Sequence, residues 1–151
     1  MRIVYMGTPD FAATVLGGIH RAGHEIVGVI SQPDKPKNRG MHLEPTPVKK
    51  CAEAIGLSVY QPETLRDKAI LPYLEETKPD IIVVVAYGKL LPEYVLSFPK
   101  YGCINMHASL LPKYRGAAPI QWSILKGEAE TGVTSMYMEK GLDTGDMILK
   151  V

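Results

Sequence analysis

The chain has 151 residues, of which 46% are hydrophobic and 22% are charged, with 17 basic and 16 acidic side chains giving a net charge of +1. This balance gives no whole-chain signal for nucleic-acid binding, and the hydrophobic content excludes a disordered chain. Two cysteines are too few for a disulfide framework, no apolar run is long enough to span a membrane, and the N-terminus does not resemble a signal peptide. Composition therefore predicts a soluble, cytosolic, globular protein with one domain.

Short apolar runs alternate with helical patterns along the chain. Strands are predicted over residues 3–6, 25–30, 58–60, 80–86, 103–106 and 131–138, and helices over 10–22, 63–76 and 118–126. Another helix is predicted to begin after Thr46, with Pro47 at its first position, and to end at Gly56. This alternation predicts an α/β fold with a doubly wound, mostly parallel sheet. The β-branched run within Asp80–Ala86 is typical of a strand in the middle of such a sheet.

Two long stretches, 32–45 and 109–117, have no regular pattern. Ligands of open α/β sheets bind beyond the carboxyl ends of the strands, where both stretches begin. We therefore consider both as site loops, with plain surface connections as the alternative.

The turn Gly7-Thr8-Pro9-Asp10 lies where a dinucleotide-binding fold would carry its phosphate loop. The G-x-G-x-x-G spacing is absent, and Pro9 lacks an N–H that a pyrophosphate would need. We expect instead a tight turn at Gly7, with Asp10 capping the following helix. Nicotinamide and ATP binding have little support.

Asn105 and His107 are two residues apart at the end of a predicted strand, so their side chains are expected on one face. An amide and an imidazole together can hold a developing oxyanion, and the imidazole can also move a proton. Asp143 follows in a glycine-rich turn, from which a carboxylate near His107 would orient the ring and raise its pKa. The alternatives are a structural Asn–His pair and ordinary turn chemistry at Asp143.

Several motifs resemble the 10-formyltetrahydrofolate-dependent formyltransferase family: Asn105-Met106-His107, Ser109-Leu110-Leu111-Pro112 and Asp143-Thr144-Gly145. Three more segments, 7–12, 32–36 and 115–122, resemble the branch of that family that acts on methionyl-tRNA. The resemblance is collinear from Arg2 to Leu149. It implies a Rossmann-like formyltransferase fold, transfer of a formyl group from 10-formyltetrahydrofolate to the methionine amine of initiator tRNA, no metal, and a monomer that binds no membrane.

The resemblance also implies roles for individual residues. Asn105, His107 and Asp143 match the catalytic trio. The residues that match the folate-binding loops are Tyr87, Gly88, Lys89, Leu90, Leu91, Ser109, Leu110, Leu111 and Pro112. The residues expected to contact tRNA are Lys35, Lys37, Arg39 and Arg115.

The segment from Pro33 to Lys50 has five basic and two acidic residues, a local charge of +3. A flexible basic loop of this kind contacts phosphate backbones and orders on binding. The resemblance implies that this loop engages the acceptor end of tRNA, with Arg39 matching the family's arginine there as the leading contact. From charge alone, a merely solvated charged face is the alternative. The tract 37–43 is less basic than is common in the family, so its electrostatic contribution is expected to be weaker.

Other enzymes on the same scaffold stay open as alternatives: glycinamide ribonucleotide and sugar-nucleotide formyltransferases and formyltetrahydrofolate hydrolase domains. A non-catalytic nucleotide- or RNA-binding α/β module is the alternative from another class. The resemblance revises the expectation, based on length, that the chain is one whole domain. It implies that residues 1–151 are an incomplete catalytic domain, truncated at its C-terminal end, without the tRNA-binding β-barrel that family members carry.

Overall fold

The computed structural model describes residues 1–37, 42–107, 134–138 and 147–150. The strands are β1 (Arg2–Gly7), β2 (Glu25–Ile30), β3 (Lys35–Lys37), β4 (His42–Glu44), β5 (Val59–Tyr60), β6 (Ile81–Val85), β7 (Cys103–His107), β8 (Thr134–Tyr137) and β9 (Met147–Lys150). The helices are α1 (Asp10–Arg21), α2 (Pro47–Ala54), α3 (Leu71–Thr77) and α4 (Glu93–Leu96). Among these described helices, none is both long and apolar enough to cross a lipid bilayer.

Seven strands form one sheet in the order β5-β2-β1-β6-β7-β8-β9. The first five are parallel, and β8 and β9 are antiparallel to their neighbours. The chain moves outward from β1 to β2 and β5, then returns to place β6 on the other side of β1. The sheet is thus doubly wound and mostly parallel, as predicted, and its topological switch point lies between β1 and β6.

Alternate residues of the central strands face two separate hydrophobic clusters. On one face, Ile3 and Tyr5 pack with residues of α1 and α2. On the other, Val4 and Met6 pack with residues of α3 and α4. All five residues of β6 are buried. This explains their unbroken apolar run, because a central parallel strand covered by helices has no solvated face.

Most predicted elements are confirmed to within a residue or two, but the helix predicted over 63–76 is wrong in its first half. Only Leu71–Thr77 is helical. Asp67 and Lys68 adopt φ of 55° and 57°, the left-handed region that a right-handed helix does not contain. Pro72 stands in the first turn, where its missing N–H is tolerated.

The start of α2 is confirmed, and that of α1 differs from the prediction. Thr46 caps α2 by accepting a hydrogen bond from the Lys49 N–H at 3.1 Å. The N-cap position of α1 is Pro9, with no side-chain cap, and Asp10 is the first helical residue. Asp10 therefore does not cap α1; its charge lies in the first turn, beside the positive end of the helix dipole.

The stretch 32–45 is not irregular throughout. Strands β3 and β4 pair antiparallel, with Lys35 opposite Glu44 and Lys37 opposite His42. Both strands have only three residues, and Pro36 stands at the centre of β3, so neither strand carries a readable alternation and the pattern missed them. The predicted helix 118–126, the stretch 109–117 and the first residues of the strand predicted over 131–138 lie outside the described residues.

Candidate active site

Strands β1, β2, β6 and β7 are parallel, so their carboxyl ends meet at one edge of the sheet. Thr8 follows β1, Gln32 lies two residues after β2, and the loop Ala86–Pro92 follows β6. Asn105 and His107 are the third and fifth residues of β7. Among the described residues, the sheet therefore brings these segments from distant parts of the chain to one edge.

A hydrogen-bond network joins the loops on both sides of the switch point. The Thr8 hydroxyl donates to the Tyr87 carbonyl at 2.9 Å, and the Gln32 side-chain amide donates to the same carbonyl at 3.2 Å. The Gln32 backbone N–H lies 3.5 Å from the Thr8 hydroxyl oxygen, which accepts from it. These side chains lie beside the switch point, at the edge of the sheet where a dinucleotide-binding fold would place its phosphates.

The loop Ala86–Pro92 combines unusual backbone conformations with very unequal exposure. Ala86 has φ of 48° and Gly88 has φ of 100°. Leu90 is 76% exposed, whereas Tyr87 and Leu91 are buried in the cluster that includes α3 and α4. The Lys89 ammonium donates to the Glu63 carbonyl at 2.6 Å. Of these two leucines, which both match the family's folate-binding loops, Leu90 is thus open to solvent and Leu91 belongs to the core.

Asn105 and His107 both lie in strand β7. In the register of the sheet, Asn105 lies between Val84 of β6 and Met136 of β8, and His107 pairs with Thr134. Asn105 is half-buried, between the exposed loops and the buried Cys103. Burial raises the pKa of the Cys103 thiol to about 12, so this neighbour is held in its neutral form.

The hairpin β3–β4 is tied to the sheet edge by polar side chains. Asp34 accepts from the Lys49 ammonium at 3.0 Å and from the Gln61 amide at 2.6 Å. The Gln61 amide also donates to the Gln32 carbonyl at 3.1 Å. The hydrogen bond from Gln61, followed by that from Lys49, lowers the pKa of Asp34 although burial opposes this. Lys50 pairs with Glu44 at 2.9 Å.

These two ion pairs use the two acidic residues of the segment 33–50. The charges of Lys35, Lys37 and Arg39 therefore account for the local +3. Lys35 is exposed, and Lys37 ends β3.

The remaining predicted site residues lie outside the described part of the chain: Arg39, Ser109, Leu110, Leu111, Pro112, Arg115 and Asp143. Within the described part, no three His, Cys, Asp or Glu residues gather as metal ligands.

Sequence reasoning did not assign roles to Thr8, Gln32 and Gln61, although all three lie at strand ends of the same edge. The available signal was position: a polar residue soon after the carboxyl end of a parallel strand. Which carbonyl each side chain reaches depends on the strand order, which no local pattern encodes.

A protein family described as formyl transferase matches residues 1–151. The chain is 59% identical over 150 residues to the methionyl-tRNA formyltransferase of Alkaliphilus oremlandii and 57% identical to that of Clostridioides difficile, covering 99% of this chain and 48% of each relative. The chain thus spans about half the length of the curated relatives it matches.

Solved structures share the fold at lower identity. Phosphoribosylglycinamide formyltransferase from Bacillus halodurans superimposes with a TM-score of 0.78 at 22% identity, covering 100% of this chain and 78% of that chain. Glycinamide ribonucleotide transformylase 1 from Geobacillus kaustophilus gives a TM-score of 0.73 at 26% identity, covering 99% and 80%. These likenesses establish a formyltransferase-type Rossmann-like fold.

Proposed function

Because the chain belongs to the formyl transferase family, we propose that it carries the catalytic site for transfer of a formyl group from 10-formyltetrahydrofolate to the α-amino group of methionyl initiator tRNA. The observation that carries this proposal is the 59% identity to a methionyl-tRNA formyltransferase along 150 residues. Translation initiation in the cytoplasm is the setting that this activity implies.

The chemistry is assigned to Asn105, His107 and Asp143. The neutral amine attacks the formyl carbon, and the carbonyl oxygen becomes an oxyanion. Asn105 and a protonated His107 stabilise that charge, and Asp143 keeps His107 protonated and relays a proton from the attacking nitrogen towards the leaving N10. The position of Asn105 and His107 at the carboxyl end of β7 supports this assignment, since ligands of such sheets bind at this edge.

Two segments are proposed to hold the folate. The first, Ala86–Pro92, is called the folate loop below, and the second consists of Ser109, Leu110, Leu111 and Pro112. A flat pterin needs apolar surface and a few backbone polar groups that read its edge. In the folate loop, the exposed Leu90 offers apolar surface, and Gly88 lets the backbone approach closely. Tyr87 and Leu91 support the loop from the core, and Lys89 anchors it to Glu63.

The hairpin β3–β4 is proposed to contact the acceptor end of the tRNA through Lys35, Lys37 and Arg39, with Arg115 as a further contact. Phosphate contacts of this kind position the nucleic acid without reading its sequence. We expect Arg39→Ala to weaken the use of charged tRNA and to leave folate binding unchanged.

The test of the proposed function is formyl transfer by the full-length gene product. His107→Ala and Asp143→Ala should each lower kcat by about 10²-fold to 10³-fold or more, because each removes stabilisation of the oxyanion. The matched control is His24→Ala, an exposed histidine beside the opposite end of β2. Unchanged thermal unfolding of all three variants separates lost chemistry from lost fold.

The amine acceptor is tested separately. Methionyl-tRNA, glycinamide ribonucleotide and an amino-sugar nucleotide are offered with the same formyl donor. Preference for methionyl-tRNA supports the proposal. Preference for either small amine would show that methionyl-tRNA is not the acceptor. Hydrolysis of the donor without transfer would indicate a hydrolase, and no turnover would favour a binding module.

A further inference from the structure

We propose that Thr8 and Gln32 are positioning residues that hold the backbone of the folate loop across the topological switch point and join that loop to the hairpin β3–β4. This inference rests on the proposed function, because it takes the folate loop and the hairpin to contact the two substrates. Neither residue is among those that the sequence motifs assign to folate or tRNA.

The first step is the convergence on one atom. The Tyr87 carbonyl accepts both the Thr8 hydroxyl at 2.9 Å and the Gln32 amide at 3.2 Å. These residues follow three different strands, β6, β1 and β2, so the contacts cross the sheet rather than run along the chain. A carbonyl with two side-chain donors is fixed in direction as well as in position.

The second step is that the folate loop needs such support. Ala86 and Gly88, on either side of Tyr87, have φ of 48° and 100°. A non-glycine residue in the left-handed region persists only where its surroundings hold it. Gly88 also packs closely against Gln32, because a Cβ at Gly88 would lie 3.1 Å from the side-chain amide nitrogen of Gln32, which would then have to shift by a few tenths of an ångström. The positive φ of Gly88 and its close packing against Gln32 therefore both favour glycine at this position.

The third step is that the same hydrogen bonds connect the folate loop to the hairpin β3–β4. Through its side chain Gln32 contacts the folate loop, and through its backbone carbonyl it accepts from Gln61. The Gln61 amide also binds Asp34, the residue before β3. The backbone of Thr8 contributes as well, since its carbonyl accepts from the Val48 N–H at 3.2 Å in the first turn of α2. One short network thus spans both segments.

The experiment compares Thr8→Val, Thr8→Ser and Gln32→Glu in the full-length gene product. Thr8→Val removes the hydroxyl with little change of shape, Thr8→Ser keeps it, and Gln32→Glu replaces the donor facing the Tyr87 carbonyl with an acceptor. The matched control is Thr77→Val, which removes a hydroxyl bonded to the Tyr73 carbonyl at 2.8 Å near the amino end of the sheet.

We expect Thr8→Val and Gln32→Glu to raise KM for 10-formyltetrahydrofolate by about fivefold to tenfold, the size of one lost hydrogen bond. Thr8→Ser should restore the wild-type value, and Thr77→Val should leave it unchanged. Hydrogen exchange of the amides of residues 86–91 should accelerate in the same two variants and not in the control. Unchanged exchange there, or an equal effect in Thr77→Val, would overturn the positioning role.

The two readouts separate this inference from the proposed function. If the wild-type protein forms no formylmethionyl-tRNA, the proposed function fails while the exchange measurement still tests the positioning. If the wild-type protein is active and the variants change neither KM for the folate nor exchange, the positioning fails alone.

Discussion

At the scale of single residues, Tyr87 combines two opposed features. Its side chain is 2% exposed among apolar neighbours, and its hydroxyl has no hydrogen-bond partner among the described residues. Burial, with smaller contributions from Tyr60 and Tyr94, raises the pKa of Tyr87 to about 12. A buried hydroxyl without a partner costs stability, whereas the aromatic ring that carries it contributes to the core.

Replacement of Tyr87 by phenylalanine is therefore expected to raise the free energy of unfolding by about 1 kcal/mol, since the ring stays and a buried hydroxyl with no partner in the described part of the chain is lost. The control is Tyr5→Phe, because the Tyr5 hydroxyl is also buried but donates to the Ala12 carbonyl. That variant is expected to be less stable than the wild type. Urea unfolding of both variants is the measurement, and a destabilised Tyr87→Phe variant contradicts the prediction.

At the scale of elements, the hairpin β3–β4 is attached by side chains and not by the ladder of the main sheet, from which it is separate. The Asp34 carboxylate is the centre of that attachment, with Gln61 on one side and Lys49 on the other. A carboxylate in this role contributes stability only while it is ionised.

Because the folded pKa of Asp34 is lowered, its contribution is complete above the unfolded value of about 3.9 and is lost as the pH falls through the folded value. We expect Gln61→Leu to raise that pKa, since the Gln61 hydrogen bond is the largest cause of the shift. The measurement is a carbon NMR titration of the Asp34 carboxyl group. Lys50→Ala, which breaks the exposed pair with Glu44, is the control and should leave the titration unchanged.

The start of α2 provides a second prediction at this scale. The Thr46 hydroxyl is buried, caps α2 at Lys49, and lies 2.6 Å from the Ser31 hydroxyl at the end of β2. Thr46→Ala should lower the free energy of unfolding by about 1–2 kcal/mol, because both contacts are lost. Thr46→Ser retains the hydroxyl and should recover most of that loss in the same denaturant measurement. Equal losses in the two variants would show that the methyl group matters and the cap does not.

At the scale of the whole molecule, the described part of the chain brings the proposed folate loop, the hairpin and β7 to one edge of the sheet. The matching methionyl-tRNA formyltransferases are about twice as long as this chain. A large nucleic acid makes contacts over a wide area, whereas a folate fits within the edge of one sheet.

We therefore predict that residues 1–151, expressed alone, bind a folate analogue but formylate methionyl-tRNA at least about tenfold less efficiently than the full-length Alkaliphilus oremlandii relative. A tenfold loss corresponds to about 1.4 kcal/mol of binding energy. Calorimetry with the analogue and a formylation assay over a range of tRNA concentrations are the measurements. Equal efficiency of the two proteins would show that residues 1–151 suffice for tRNA use.

Much of the fold was predictable from local patterns. The apolar run of β6, the Thr46-Pro47 start of α2 and the alternation of strands and helices each depend on neighbours within a few residues, so they identify their elements directly. The first half of the helix predicted over 63–76 was wrong, and the hairpin β3–β4 was missed in a stretch predicted to be irregular. The left-handed residues Asp67 and Lys68 and the pairing of two three-residue strands depend on contacts beyond that range.

For the candidate site, the sequence by itself determined which residue types stand at the strand end, an amide and an imidazole two residues apart, and which motifs resemble those of formyltransferases. Only the tertiary structure decided which groups meet. The order of the strands places β1 beside β6 and brings Thr8 and Gln32, 24 residues apart, to the Tyr87 carbonyl, 55 residues beyond Gln32. The physical reason is that sheet order is set by the burial of whole faces and by crossover connections, which no single segment records.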